Sequence, residues 1–305
     1  MDPITTTLTT VALKKTVTHF TDKLLNTNWS DDSEESKSII AQLGDDDVAS
    51  RYVEKYVSKN LKIRTLHSAE SDVYLDEIYT PLTLTTTSNN DEIIIDDKLT
   101  LNYSRVVNII GIAGHGKSTI LRKLFLEELK KQEKFPFFLE LKRAVGVGII
   151  GLLESTFEDI GINVESNETS KLLSSGKIIL LLDGFDEVPY KNRNEILNEI
   201  NRINSKFNCR IICTTRPDTE ICNEVNIQNL RVKNLTLEQI QEIINKLDTK
   251  KENLELIELI KQNSDLRSTL ICPIFVNLLY VCYMFAIHIL TSFQKVPSSF
   301  IKSFI

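Results

Sequence analysis

A cluster of glycines near residue 111 constrains the fold of this chain more than any other feature of its sequence. The 305 residues contain only 10 glycines, and three of them lie between positions 111 and 116. Residues 106–110, before the cluster, form a short apolar run, and residues 118–131, after it, carry apolar side chains on one helical stripe. This order predicts a buried strand, a turn that needs the backbone freedom of glycine, and an amphipathic helix.

The turn matches the pattern G-x-x-x-x-G-K-[S/T] in full, which is typical of loops that bind phosphate groups. Its glycines let backbone N–H groups turn inward around the phosphates, its lysine supplies a mobile cation, and the next hydroxyl is a Mg²⁺ ligand. We therefore predict that the chain binds ATP (or GTP), with Mg²⁺ as cofactor. The residues predicted to contact the nucleotide here are Gly111, Ile112, Ala113, Gly114, His115, Gly116, Lys117, Ser118 and Thr119.

A second predicted strand carries acidic residues to the same site. Residues 178–182 are an unbroken aliphatic run, typical of a parallel strand that is buried on both faces. Asp183 follows at the edge of the sheet where α/β folds bind ligands, and we predict that it holds Mg²⁺ together with Ser118. Glu187 is the predicted residue that polarises the attacking water, and Asp186 is the alternative.

A third segment adds a candidate contact to phosphate. Residues 210–214 have the pattern of a strand that ends in a polar pair, and Arg216 and Pro217 follow. Because a planar guanidinium group fits phosphate oxygens, Arg216 is a candidate sensor of the γ-phosphate. An ordinary surface arginine at a strand end explains the same spacing equally well. The candidate catalytic residues are therefore Glu187, Asp186, Lys117 and Arg216.

The remaining pattern defines the fold class and the domains. Strands that alternate with helices predict an α/β fold with a parallel sheet. The first 80 residues have helical periodicity and no catalytic cluster, and residues 79–84 lead into Thr/Ser/Asn-rich residues that are predicted to be a connector. We predict a helical N-terminal region at 1–80, a nucleotide-binding core at 81–235 and a helical subdomain at 236–305.

Composition bears on whether the chain binds nucleic acid or a membrane and on its cellular location. The net charge is −6, so no basic excess favours nucleic-acid binding, and none is predicted. The five cysteines form no C-x-x-C pair and the N-terminus has no signal-peptide core, which indicates a cytoplasmic protein with reduced thiols. Residues 270–290 are apolar enough to be considered as a membrane span. Pro273 and Asn277 interrupt this stretch, so we predict a buried helix and no membrane partner.

Taken together, the three segments closely resemble the NACHT module of the STAND class of P-loop NTPases. The resemblance covers about residues 75–290 and depends on the phosphate loop, on residues 183–187 and on Thr-Thr-Arg-Pro at 214–217. The apolar segment at 270–279 is similar to the proline-containing helix start of that family. This likeness implies that Pro273 approaches the adenine of the nucleotide.

The resemblance also implies a function. Members of the family act as switches, in which ADP holds a closed monomer and a ligand permits ATP exchange and self-association. This implies slow ATP hydrolysis, a role in antiviral (antiphage) or innate-immune defence, and an unidentified trigger or effector protein as partner. The alternatives are an AAA+-like mechanical ATPase and a defence-protein fragment that only binds nucleotide.

The same resemblance sets an expectation for the C-terminal part. Family members usually continue into a winged-helix region, whose histidine reads the β-phosphate of ADP, and then into a sensor domain. The sequence ends about 15 residues after the proline-led helix. We expect these regions to be missing here, either through truncation or in a short form that senses through a partner.

Overall fold

The structure is a computed structural model that describes residues 3–64, 66, 72–87, 89–99, 101, 103, 106–165, 167–248 and 254–294. These residues form two compact units. The first runs up to Lys62 and from Pro81 to Lys233, and the second takes in Ile63–Thr80 and the chain from Asn234 onward. The N-terminal helices therefore belong to the same compact unit as the sheet. The predicted three-part division of the chain stays a prediction.

Within the described residues, a seven-stranded sheet lies at the centre of the first unit. The strands are β1 (Lys62–Ile63), β2 (Val73–Tyr74), β3 (Leu82–Thr86), β4 (Glu92–Ile95), β5 (Val106–Ile110), β6 (Phe135–Glu140), β7 (Ile178–Asp183), β8 (Arg210–Thr215) and β9 (Ile227–Val232). The order across the sheet is β4-β3-β9-β5-β8-β7-β6, and β1 pairs with β2 separately. Strands β9, β5, β8, β7 and β6 are parallel, and β3 is antiparallel to both of its neighbours.

Helices surround the sheet and make up most of the second unit. They are α1 (Pro3–Leu25), α2 (Lys37–Gly44), α3 (Asp46–Tyr52), α4 (Ser58–Leu61), α5 (Leu75–Ile78), α6 (Lys117–Lys131), α7 (Gly148–Ile160), α8 (Glu168–Ser174), α9 (Tyr190–Phe207), α10 (Leu237–Leu247), α11 (Leu254–Gln262), α12 (Ser264–Thr269) and α13 (Pro273–Gln294). A π-helical turn at Val53–Val57 joins α3 to α4.

The mostly parallel α/β sheet confirms the fold class expected from the aliphatic runs. Every residue of β5 is buried, and so are the first five residues of β7. Because β5, β8 and β7 are parallel neighbours, their carboxyl ends meet at one edge of the sheet. This brings the phosphate loop, the acidic residues after β7 and Arg216 after β8 to the same edge.

The segment after residue 79, which we expected to lead into a connector, instead contains strand β3. In β3, Leu82, Leu84 and Thr86 are buried, and the residues between them are half-buried. This alternation pairs β3 with β4 on one side and with β9 on the other. The threonine-rich composition obscured a short strand with one buried face, since β-branched threonine favours strands.

The N-terminal helices cover β6, which lies at one edge of the sheet. Tyr52 is fully buried, and its hydroxyl donates to the carbonyl oxygen of Pro136 at 2.8 Å. Its ring lies 5.0 Å from the ring of Phe135, and Phe20 stacks on Phe135 at 5.2 Å. An edge strand presents unpaired polar groups, so the Tyr52 hydroxyl satisfies a carbonyl that has no strand beside it.

Helix α13 is apolar, but it is buried on one face only. Val276 and Tyr280 pack with residues of α10 and α11 in the core of the second unit. Ile274, Phe275 and Leu278 are between 40% and 42% exposed. The prediction of a buried helix at 270–290 therefore holds for one face over residues 273–286, and the side chains of 287–290 lie outside the described part of the chain. No helix in the described part of the chain is long and apolar enough to cross a bilayer.

The Tyr52 contact predicts a stability effect. Tyr52→Phe removes the donor to the Pro136 carbonyl and leaves that oxygen buried, which should lower the free energy of unfolding by about 1–2 kcal/mol. Tyr56→Phe is the matched control, because the Tyr56 hydroxyl bonds to Asp159 at 3.4 Å at an exposed position. Urea unfolding followed by circular dichroism measures both variants. Equal stability of Tyr52→Phe and the wild type would contradict the claim that the Tyr52 hydroxyl stabilises the edge strand β6.

Candidate functional site

The phosphate loop, residues 111–118, joins β5 to α6 in a conformation that requires glycine. Gly114 and Gly116 have φ values of 82° and 83°, in the left-handed region that other residues rarely adopt. The N–H of Gly111 donates to the carbonyl of Thr215 at 3.2 Å, which ties the start of the loop to β8. Helix α6 has 15 residues and begins at Lys117, so its N-terminal N–H groups face the loop.

The ammonium group of Lys117 lies against the backbone of this loop. It donates to the carbonyl oxygens of Gly111 at 2.8 Å and Ile112 at 3.1 Å. Burial lowers the pKa of Lys117. Four charged side chains also act on that pKa: Asp186, Asp183 and Glu187, which raise it, and Arg216, which lowers it. The predicted catalytic and metal-binding side chains therefore converge on one lysine.

The carboxylate of Asp183 is fixed by two hydroxyl groups. Its Oδ1 accepts from Ser118 Oγ at 3.0 Å and from Thr214 Oγ1 at 2.6 Å. Thr214 Oγ1 in turn accepts from the N–H of Gly184 at 2.8 Å. Burial raises the pKa of Asp183, and the hydrogen bonds from Thr214 and Ser118 oppose that shift.

This pair of oxygen groups fits Mg²⁺, which prefers one or two carboxylate or hydroxyl ligands and keeps several waters. Ser118 and Asp183 are the two residues predicted for the metal, and the structure places them in direct contact. None of the five cysteines, all within the described part, forms a disulfide. Among the described residues, no group of three His, Cys, Asp or Glu could hold a different metal ion.

The acidic turn, residues 184–187, follows Asp183 and is held by an arginine of α9. Gly184 has a φ of 78°, and Phe185 anchors the turn in the core. Arg193 donates to the carbonyl oxygens of Asp186 at 2.8 Å and Val188 at 2.9 Å. The backbone of the turn is thus fixed, and the two carboxylates differ only in their side-chain surroundings.

Asp186 and Glu187 differ in their ion-pair partners and in their exposure to solvent. Asp186 Oδ2 lies 2.9 Å from Arg216 Nε, and its side chain is only 12% exposed. Glu187 is 53% exposed, and its Oε2 lies 3.1 Å from Lys142 Nζ. Arg216 is therefore neutralised by Asp186 here, whereas Glu187 is the more accessible carboxylate.

His115 differs from the other residues of the loop. Its side chain is buried, and neither ring nitrogen has a hydrogen-bond partner among the described residues. A Cβ atom on Gly111 would lie 3.1 Å from His115 Cβ, so the ring packs closely against the start of the loop. Burial and the nearby charge of Lys117 lower the pKa of His115. Its role in nucleotide binding stays a prediction.

Three positions that support the site have no assigned role in the sequence analysis. They are Thr214 on β8, Arg193 on α9 and Lys142 after β6. Thr214 belongs to the Thr-Thr-Arg-Pro segment, so its place at a strand end was a usable signal. Arg193 and Lys142 give no such signal, because their partners are brought to them by tertiary contacts.

Pro273, the predicted contact to adenine, begins α13 in the second unit. It is half-buried, and it follows Cys272, which is buried in the same unit. Its role at the nucleotide stays a prediction. Ile112 and Ala113 of the phosphate loop are exposed, and Thr119 lies half-buried in the first turn of α6.

Known proteins give a match to one domain family. Residues 105–251 match the NACHT domain model. No curated protein sequence is detectably similar to this chain.

Two of the solved structures that match this chain illustrate how weak the similarity is. Caenorhabditis elegans PCH-2 is 16% identical with a TM-score of 0.31, and the match covers 54% of this chain and 45% of that protein. A STAND protein with a tetratricopeptide repeat sensor from Pyrococcus horikoshii is also 16% identical, with a TM-score of 0.30 and coverage of 52% and 25%. The matched part is thus less than half the length of either protein.

The family match covers all the segments that meet at the carboxyl edge of the sheet. It contains the phosphate loop, Asp183 with the acidic turn, and the strand that ends before Arg216. Residues 105–251 of the chain therefore match the NACHT domain, a nucleotide-binding P-loop domain, over the whole of this site.

Proposed function

We propose that this chain is a signalling switch that binds ATP (or GTP) with Mg²⁺ and hydrolyses it slowly. The observation that carries the proposal is the contact between Ser118 and Asp183 at 3.0 Å beside the phosphate loop. A hydroxyl from the loop and a carboxylate from the end of a second parallel strand, here β7, are the pair that P-loop NTPases use for the metal.

Binding is assigned to the loop and to the first turn of α6. Backbone N–H groups made available by Gly114 and Gly116 surround the phosphates, and the N-terminus of α6 adds its positive dipole. Lys117 contributes the mobile charge to the β- and γ-phosphates. Ser118 and Asp183 hold Mg²⁺, which supplies positive charge to the phosphate oxygens when it is bound.

Hydrolysis is assigned to Glu187, with Asp186 as the alternative. Glu187 accepts a proton from the attacking water, because its carboxylate is the accessible one of the two. Asp186 is paired with Arg216, so it is better placed to hold that arginine than to accept a proton. Arg216, once released from Asp186, is available to the γ-phosphate.

Slow turnover is supported by the same ion pairs. Glu187 is bound to Lys142, and Arg216 is bound to Asp186, so two groups assigned to the reaction are occupied by other partners. Each must change partner before it acts on substrate. A site that has to rearrange before each turnover suits a switch better than a motor with steady turnover.

The biological setting is proposed from the family. We assign this NACHT protein to antiviral or innate-immune defence, with self-association on activation and an unidentified trigger or effector protein. A cytoplasmic location is supported by five cysteines without a disulfide. Neither a nucleic-acid nor a membrane partner is part of the proposal.

Removal of the Lys117 charge tests the binding assignment. Lys117→Ala should weaken ATP–Mg²⁺ binding by about 1.5–3 kcal/mol, which is roughly a ten- to hundredfold loss of affinity. Lys130→Ala is the control, since it removes the same charge from an exposed position on the same helix. Titration with labelled ATP compares the variants, and equal affinities of Lys117→Ala and Lys130→Ala would remove Lys117 from the site.

Separate substitutions in the acidic turn test the assignment of the base. Glu187→Gln should keep near-normal ATP–Mg²⁺ affinity and reduce hydrolysis by at least about tenfold, because it removes the proton acceptor but keeps the size. Glu195→Gln, an exposed change of the same kind on α9, should leave the rate unchanged.

The assignment can fail in two ways, which a phosphate-release assay distinguishes. Wild-type turnover by Glu187→Gln and slow turnover by Asp186→Asn would move the base to Asp186. Normal turnover by both variants would remove the acidic turn from catalysis.

A further inference from the structure

Four charged side chains connect the N-terminal helices to the acidic turn. Lys59 Nζ on α4 lies 3.0 Å from Glu140 Oε1, and Glu140 Oε2 lies 3.7 Å from Lys142 Nζ. Lys142 Nζ lies 3.1 Å from Glu187 Oε2. We call these four side chains, from Lys59 to Glu187, the relay. Lys142 is its central cation, because it is shared between two carboxylates.

The sheet explains why this relay reaches the site. Glu140 is the last residue of β6 and lies opposite Asp183 in the register of β6 with β7. Lys142 lies in the short helical turn Leu141–Ala144 directly after β6. The relay therefore crosses the same edge of the sheet as the acidic turn and ends on the N-terminal helices that cover β6.

The charges in the relay depend on one another. The Lys142 pKa is raised first by its hydrogen bond with Glu187 and also by Glu140. Burial raises the pKa of Glu140, but Lys59 and the lysine and arginine after β6 lower it overall. One carboxylate, that of Glu140, is shared by two ammonium groups. A movement of Glu140 toward Lys59 therefore takes it away from Lys142 and weakens that second ion pair.

These pairs are weak enough to exchange. All four side chains are between 28% and 58% exposed, and ion pairs at such positions are weak and screened by salt. A cavity of about 20 Å³ lies beside the relay, lined partly by Tyr56, Lys59, Asn60, Glu140 and Arg143. A cavity of that volume is about the size of one water molecule, so the freedom of these side chains to exchange partners comes from their exposure to solvent.

We propose that Lys142 is a positioning residue that restrains Glu187, and that the N-terminal helices set the restraint through Lys59 and Glu140. An ammonium group on the carboxylate occupies an acceptor site and makes the carboxylate a weaker proton acceptor. Movement of α4 would change how Glu140 shares its charge, and so how firmly Lys142 holds Glu187. This inference rests on the proposed hydrolysis by Glu187.

The proposal predicts effects of opposite sign along the relay. Lys142→Met frees Glu187 and should raise kcat by about two- to fivefold, the range expected from loss of one exposed ion pair. Lys59→Met leaves Glu140 free to hold Lys142 and should raise kcat by a smaller factor. Glu140→Gln leaves Lys142 entirely to Glu187 and should lower kcat by about twofold. KM should change little in each case.

Two controls separate restraint of Glu187 from a general structural effect. Lys14→Met removes a half-buried lysine whose partner is Asp46, at 2.8 Å, within the N-terminal helices, and it should leave kcat unchanged. In a Glu187→Gln background, Lys142→Met should have no effect, because the restrained group is absent. Added salt should raise kcat of the wild type by a larger factor than that of Lys142→Met, because the variant lacks the Lys142–Glu187 pair and keeps the Asp186–Arg216 pair for salt to screen.

The outcomes of a phosphate-release assay on the full chain are distinguishable. The proposal is supported by the alternating signs together with loss of the Lys142 effect in the Glu187→Gln background. An unchanged or lower kcat of Lys142→Met, or the same increase in both backgrounds, overturns the relay while hydrolysis by the wild type stands. Absence of hydrolysis by the wild type overturns the proposed function, and the relay with it.

Discussion

Three separate parts of the chain meet at the carboxylate of Asp183. Ser118 reaches it from the start of α6, and Thr214 reaches it from the end of β8. This meeting requires that β5, β7 and β8 end at one edge, which the parallel order of the sheet provides. Because Thr214 also accepts from the N–H of Gly184, the same contact sets where the acidic turn begins.

The charges around this point are arranged in pairs of opposite sign. Asp186 is paired with Arg216, Glu187 with Lys142, and the ammonium of Lys117 lies on loop carbonyls. Free charges at a partly buried edge would repel one another or lose solvation, and pairing reduces both costs. Under the proposed function, hydrolysis competes with these existing contacts, which is a property expected of a switch.

Sequence analysis identified the parts of this site that are local in the chain. The glycine cluster and the apolar run at Val106–Ile110 gave the strand, loop and helix, and residues 178–182 gave the strand that carries Asp183. Patterns of this kind are set by neighbours in the sequence. Strands β3 and β9 were missed, because only three of five residues in β3 and three of six in β9 are buried, so neither forms an unbroken apolar run.

The pairing of the charged side chains was beyond prediction from sequence. Glu187 and Lys142 are 45 residues apart, and Lys59 lies a further 83 residues before Lys142. The pairing of β6 with β7 brings Lys142 to Glu187. The packing of the N-terminal helices on β6, through buried aromatic rings such as those of Tyr52 and Phe135, brings Lys59 to Glu140. A helical pattern indicates that a segment is helical but does not indicate which strand it will cover.

Identification of the nucleotide that is released when the purified wild-type protein is denatured tests the central claim most directly. The account predicts about one equivalent of ATP or ADP (or the guanine nucleotides) per chain, and Mg²⁺-dependent rebinding to protein from which the nucleotide has been removed. Release of no nucleotide, together with no saturable binding of ATP or GTP in the presence of Mg²⁺, would contradict it.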